Sequence, residues 1–467
     1  MDLQEVDLSQ LADEPRIWIA NPMAVFSGAM SGEDTERDCR GGVVVQGTRI
    51  VECVAGGQQA SLSVDQIVDA SDAVLLPGLI NTHHHFYQTL TRCVPSAINQ
   101  ELFPWLQSLY PIWSGLSDKH IEAATELACW ELMLSGCSTV ADHHYVFNQG
   151  LSEAIDIQAE VVGRLGLRAT LTRGSMSLSQ KDGGLPPDSV VQTEQQILDD
   201  SLRLAQRYHD AAEGSMLQLA LAPCSPFSVT EDLMRETAIL AKQQGLRLHT
   251  HLAETIDENE FCVRKLGMRP VDYLEHCDWM GPQTWLAHGI HFNLEEIQRL
   301  GQHQVGIAHC PTSNMLLASG ICPTLDLAAA GCKVGLAVDG SASNDGSNMV
   351  QELRHSLLQQ RLRYGASKIT HQQVLHWATQ GSAEVLGRQD IGVLAPGKQA
   401  DLALYKLDEL RFSGSHDPLA AIVLCGASEV SKLMVAGKWV IEDPQQTREQ
   451  LNELISRHQQ LAKQLLA

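Results

Sequence analysis

Three short stretches of this chain carry groups that hold cations or move protons, and their spacing restricts what they can do together. His83-His84-His85 follows directly on Leu75-Leu76-Pro77-Gly78-Leu79-Ile80-Asn81-Thr82. On an extended segment residues i and i+2 face the same way, so His83 and His85 are able to share one metal ion while His84 points elsewhere. A histidine cluster also occurs as an ordinary turn, but a position directly after an apolar strand and Pro-Gly points to metal binding. The second stretch is His249-Thr250-His251-Leu252-Ala253-Glu254. His251 would add a third neutral imidazole, and Glu254 could reach over the metal as a proton shuttle without binding it. By itself His-x-x-Glu equally describes a strand end running into a helix cap. The third is Val338-Asp339-Gly340-Ser341-Ala342-Ser343-Asn344-Asp345. There Asp339 either ligates the cation and takes a proton from its water, or makes an Asx-type turn. His288, in Leu286-Ala287-His288-Gly289, and His309, in Ala308-His309-Cys310-Pro311, are further candidates, the first for polarising substrate and either for a plain core histidine.

Such a set needs a scaffold that brings distant segments to one face. From about Leu75 to Leu386, short apolar runs alternate with stretches of helical period, the pattern of a parallel β/α array. Strands are expected at Val74 to Ile80, Ser138 to Asp142, Arg168 to Thr172, Leu217 to Leu221, Arg247 to His251, Thr284 to Ala287, Gln304 to Ala308 and Lys333 to Val338. Eight such units close a (β/α)8 TIM barrel, and the candidate residues then fall at C-terminal strand ends, where this fold does chemistry. Short β-type runs lie before the barrel (Arg16 to Ala20, Gly42 to Val45, Gly47 to Val51) and after it (Gly392 to Leu404, Lys432 to Ile441). The expected organisation is residues 1–76 and 386–445 as two halves of a smaller β-sandwich, 77–385 as the barrel, and 446–467 as a C-terminal helix.

Composition narrows the class. With 44% hydrophobic and 19% charged residues the 467-residue chain reads as soluble and globular. A formal charge of -23 and the lack of a Lys/Arg-rich stripe argue against a nucleic-acid polymer as partner. Twelve scattered cysteines without a CxxC pair fit reduced thiols. The acidic start MDLQEVDLSQLADEPR is unlike a secretory leader, and no apolar run reaches membrane-spanning length, so a cytoplasmic location without membrane contact is expected.

PGLINTHHH, HLAET and VDGSASND, with the return GVLAPGKQADLALY, resemble the amidohydrolase superfamily over nearly the whole chain, and specifically its deaminase branch. Asn81 to Arg92, Leu134 to Thr139 and Thr172 to Ser177 are most similar to the 8-oxoguanine deaminases, and the triazine ethylaminohydrolases share part of the same wording. The resemblance implies one divalent ion, Zn²⁺ with Fe²⁺ as the alternative, held by His83, His85, His251 and Asp339. Binuclear relatives carry a carboxylated lysine at the end of strand four, where this chain reads Leu217-Gln218-Leu219-Ala220-Leu221-Ala222-Pro223-Cys224. It also implies hydrolytic deamination of an aminated purine, 8-oxoguanine giving urate and ammonia, with Glu254, Asp339 and His288 as the catalytic set. Gln88, Arg173 and His288 are the expected substrate contacts, and Trp105 and Phe86 the expected walls of the ring site. The alternatives are a pterin (isoxanthopterin) or s-triazine amino- or chlorohydrolase, and a non-catalytic scaffold that would need none of these ligands. Relatives of this kind commonly self-associate, which leaves a homo-oligomer open, with no stretch of the sequence identifying an interface.

Overall fold

In the computed structural model, residues 14–30, 34, 37–427 and 429–467 are described; most of the acidic leader lies outside them. Eight parallel strands follow one another in chain order around a barrel: Leu79–Asn81, Cys137–His144, Arg168–Ser175, Leu217–Pro223, Arg247–Leu252, Thr284–His288, Gly306–His309 and Lys333–Leu336. Each pairs with the next in parallel register. The first and last meet through the Thr82 amide on the Leu336 carbonyl (3.2 Å) and the Val338 amide on Asn81 Oδ1 (3.0 Å). Helices cover the outer face, so most of these strands are buried on both sides, which is why they read as apolar runs rather than as alternating ones.

The expected first strand, Val74 to Ile80, is two strands in two sheets. Ala73–Pro77 pairs antiparallel with Leu402–Lys406, while Leu79–Asn81 opens the barrel. Gly78 is the crossing point: its amide donates to the Asp401 carbonyl (2.8 Å), and a Cβ there would stand 2.3 Å from Ser138 Oγ. Only glycine allows the chain to pass so close to the second barrel strand. The last barrel strand likewise ends at Leu336 rather than Val338, which leaves Asp339 on the turn beyond it.

A five-stranded sheet combines segments from both sides of the barrel, in the order Lys438–Ile441, Lys432–Val435, Leu402–Lys406, Ala73–Pro77 and Ala24–Val25. A four-stranded sheet packs against it, joined by Ile19, Val43, Val45, Leu75, Leu402 and Met434. A buried ion pair fastens this layer to the barrel. Arg168, on the third barrel strand, meets Asp401 through Nε (3.0 Å) and Nη2 (3.2 Å), and its Nη1 donates to the carbonyls of Gly214 and Ser215. Removing the carboxylate strands a buried guanidinium, so Asp401→Ala is expected to cost about 3–5 kcal/mol in chemical denaturation. A stability equal to the parent's would show that the pair is dispensable.

The chain ends in the helix Asn452–Leu465, packed on Asp118–Leu134. Its buried His458 meets Thr89 Oγ1 (3.0 Å), in the turn that follows the first barrel strand. The C-terminus therefore braces the segment that carries His83, His85 and Gln88. No described helix is long and apolar enough to cross a membrane.

Candidate functional site

At the C-terminal rim of the barrel the histidines converge, and each has one ring nitrogen already committed. His85 Nδ1 faces the His143 carbonyl at 2.6 Å and His251 Nδ1 the Cys224 carbonyl at 2.6 Å, so both carry their proton there. His83 Nδ1 meets His249 Nε2 at 2.7 Å, and His249 Nδ1 in turn faces the Trp285 carbonyl at 2.9 Å. A carbonyl only accepts, so His249 donates from Nδ1, its Nε2 accepts, and His83 donates from Nδ1. Burial holds His83, His249 and His251 well below the usual histidine pKa, the last at about 3, so these rings are neutral.

This tautomer chain leaves lone pairs facing one another. His85 Nε2 and His251 Nε2 are 3.1 Å apart; Asp339 Oδ1 lies 3.2 Å from His83 Nε2 and 3.3 Å from His85 Nε2. His83 Nε2 is buried without a hydrogen-bond partner. Ligand atoms sharing one small cation tetrahedrally at about 2.1 Å stand about 3.3–3.4 Å apart, so the spacing of this group fits one ion. Crowded acceptors around a common point are repulsive unless a cation lies between them. The residues present fit a metal ion, and His143 and His288 border the same cluster.

Asp339 is set by its surroundings. Its Oδ1 accepts from the Gly340 amide (2.7 Å) and its Oδ2 from Ser313 Oγ (2.6 Å), with Ser343 Oγ at 3.3 Å. Burial opposes its charge, and the neighbouring His288 favours it. Glu254 is raised above its ordinary value, chiefly by burial. Its Oε1 accepts from Ser319 Oγ (3.2 Å), and its Oε2 is 3.5 Å from His288 Nε2. Burial alone would lower His288, but the charges of Glu254 and Asp339 raise it, and its Nδ1 donates to Asn314 Oδ1 (2.9 Å).

The backbone is strained where these groups are presented. Ala253 (φ 53°), His288 (φ 71°) and Asp339 (φ 63°) are non-glycine residues in the left-handed region, at about 1–3 kcal/mol each. Buried Glu258 offsets this at the first of them by accepting from the Ala253 and Glu254 amides (2.8 and 2.9 Å). A pocket opens over the cluster, with Leu102, Trp105, Leu106, Phe227 and Leu317 as its apolar wall and Gln88, Tyr110, Tyr145, Cys224 and Ser343 among its polar groups. Gln88 is buried, with Oε1 on the Ala342 amide at 3.4 Å.

Three expected positions fall elsewhere. Arg173 is not a pocket residue: its strand runs on to Ser175, and its guanidinium is turned away onto Asp200 (2.9 Å), Gln192 (2.8 Å) and the face of Phe147 (3.9 Å). His309 meets Gln360 rather than the cluster, and Phe86 packs on His84 outside the pocket wall. Conversely, sequence reasoning left out His249 as the partner of His83, and also Ser313, Asn314 and Ser319. The last three sit within ten residues of His309, just after strand seven, two of them in the short helix Pro311–Leu316; polar side chains in the segment leaving the C-terminal strand end were the available signal.

The amidohydrolase family model matches residues 74–440. The chain is 58% identical to an 8-oxoguanine deaminase of Pseudomonas aeruginosa over 97% of this chain and 99% of that protein. It is 36% identical to an isoxanthopterin deaminase of an unknown prokaryotic organism, covering 92% and 93% of the two chains. Among solved structures, an atrazine chlorohydrolase from Arthrobacter aurescens complexed with zinc superposes with a TM-score of 0.87 at 29% identity, covering 96% of this chain and 99% of that one.

Proposed function

Because this chain belongs to the amidohydrolase family, we propose that it hydrolyses the exocyclic amine of 8-oxoguanine, releasing urate and ammonia. The observation that carries this reading is the convergence of His83, His85, His251 and Asp339 on one point, with Glu254 and His288 beside it, in a chain so similar to an 8-oxoguanine deaminase.

His83, His85, His251 and Asp339 would hold the ion, and zinc suits three imidazoles and a carboxylate. When bound, such a cation supplies Lewis acidity, lowering the pKa of a water from about 15.7 toward about 7. The remaining work belongs to the chain. Asp339 accepts a proton from the attacking water as its oxygen bonds to C2 of the purine. Glu254 delivers a proton to the adjacent ring nitrogen, which removes aromatic resistance to attack, and its raised pKa favours the protonated form this needs. His288, fixed by Asn314, donates toward the developing charge at the reacting carbon. Asp339 then passes its proton to the amine, the C2–N bond breaks and ammonia leaves, while the C2 hydroxyl gives its remaining proton to Glu254 and becomes a carbonyl, so both carboxyl groups return to their starting states. Gln88 is positioned to bind a purine edge, and Trp105 walls the ring. The same reading carries a cytoplasmic location and a small neutral heterocycle as the partner.

Ammonia release should be measured with 8-oxoguanine, guanine, isoxanthopterin and hydroxylated triazines, before and after dialysis against a chelator. The expected result is highest kcat/KM on 8-oxoguanine, one urate per ammonia, loss of turnover on chelation and recovery with zinc. Metal-loaded enzyme inert toward 8-oxoguanine, or turnover unaffected by chelation, would end this reading.

A further inference from the structure

The pocket is crowded with charge around Glu254, His288 and Asp339, but among its other lining residues one buried polar atom has no use. Tyr110 lies on the helix Leu102–Trp113, in the long segment after the first barrel strand, and lines the pocket. The residue is 1% exposed, yet its hydroxyl finds no hydrogen-bond partner in the protein. Most buried hydroxyls in proteins are satisfied, so an orphan on a residue that lines a binding cavity is a candidate partner for a ligand atom.

The helix that presents it is fixed in place. Trp105 Nε1 donates to the Ala342 carbonyl (3.2 Å), which ties the helix to the turn carrying Asp339, and Trp113 Nε1 donates to Thr91 Oγ1 (3.1 Å). Tyr110 itself packs edge-on against Trp113, with ring centroids 5.8 Å apart. Burial raises its phenol well above the ordinary value, so the hydroxyl keeps its proton and serves as a neutral donor.

Glu254, His288 and Asp339 gather at the strand ends, while the helix Leu102–Trp113 contributes Leu102, Trp105, Leu106 and Tyr110 to the lining of the same pocket. A fused purine whose C2 amine is at the strand ends has its other extremity, C8, free to meet a group on that helix. We infer that Tyr110 is a specificity-determining residue whose O–H donates to the carbonyl oxygen on C8, selecting aminated fused heterocycles that bear a second oxygen at the end remote from the amine. This rests on the deaminase reading above. Guanine has hydrogen at C8 and leaves the phenol unpaired, which a site built to hydrogen-bond its substrate penalises.

Tyr110→Phe is nearly isosteric and removes only the hydroxyl. On 8-oxoguanine, kcat/KM is expected to fall about 10- to 100-fold, carried mainly by KM, because the contact lies far from the reacting carbon. On guanine it should change by less than about threefold. The melting temperature should be unchanged or higher, since an unpaired buried hydroxyl is lost; a tyrosine with a merely structural hydrogen bond would melt lower. Equilibrium binding of urate, which keeps the C8 oxygen, should weaken in parallel. Equal losses on both purines, no loss on 8-oxoguanine, or unchanged urate binding would overturn the assignment. Failure of the parent enzyme to deaminate 8-oxoguanine would instead remove the reading beneath it.

Discussion

Glu254→Gln is expected to keep its metal and fold while losing about 10²- to 10⁴-fold in kcat, the range that one positioned proton donor contributes. The amide preserves the shape of the side chain and the acceptor that Ser319 Oγ needs at 3.2 Å, and the backbone amide of residue 254 remains on Glu258. What disappears is a carboxyl that burial biases toward its protonated form. With a raised pKa the donor form persists to higher pH, and turnover declines as pH climbs through that value; the variant should lack this limb. Steady-state ammonia release across pH, with metal content determined on the same samples, separates the outcomes. Parental turnover in the variant would take Glu254 out of the mechanism.

Asp339→Asn should be more damaging still, because two functions share one side chain. The carboxylate faces His83 Nε2 and His85 Nε2 with one oxygen and is held by Ser313 with the other. An amide cannot satisfy both sides: its NH2 group is directed either at the imidazole cluster, where a cation is meant to lie, or at the Ser313 hydroxyl and Ser343. The negative charge that offsets a divalent ion is lost in either orientation, and so is the proton acceptor. Elemental analysis should find well under one metal per chain, and turnover should fall by at least about 10²- to 10⁴-fold even with excess zinc. A variant with full metal occupancy and near-parental rate would remove Asp339 from both roles.

Some of the site was legible because it depends on local geometry. His83 and His85 share a face through the two-residue period of an extended segment, and Glu254 and Asp339 were marked by following apolar runs with polar groups at their ends. Positions that depend on where a strand stops were less legible. Arg173 was expected just past a strand ending at Thr172, but pairing with Leu221 and its neighbours extends the strand to Ser175. Inside the strand, its guanidinium is committed to Asp200 and Gln192. Val74 to Ile80 reads as one apolar run, because a buried strand in one sheet looks the same as a buried strand in the next. Only the approach of Ser138 to Gly78 divides it.

By itself, then, the order of residues determined the kinds of ligand, their distribution over strand ends and the repeating unit that gathers them, since periodicity and residue chemistry act within a few positions. The tertiary structure decided the rest. Which ring nitrogen of each histidine is free follows from carbonyls at residues 143, 224 and 285, remote in the chain. Which residues of the helix Leu102–Trp113 line the pocket follows from how that helix is tied to the turn after the last strand. Both are matters of hydrogen-bond closure over long separations, and closure is set only when the barrel brings those segments within about 3 Å of one another.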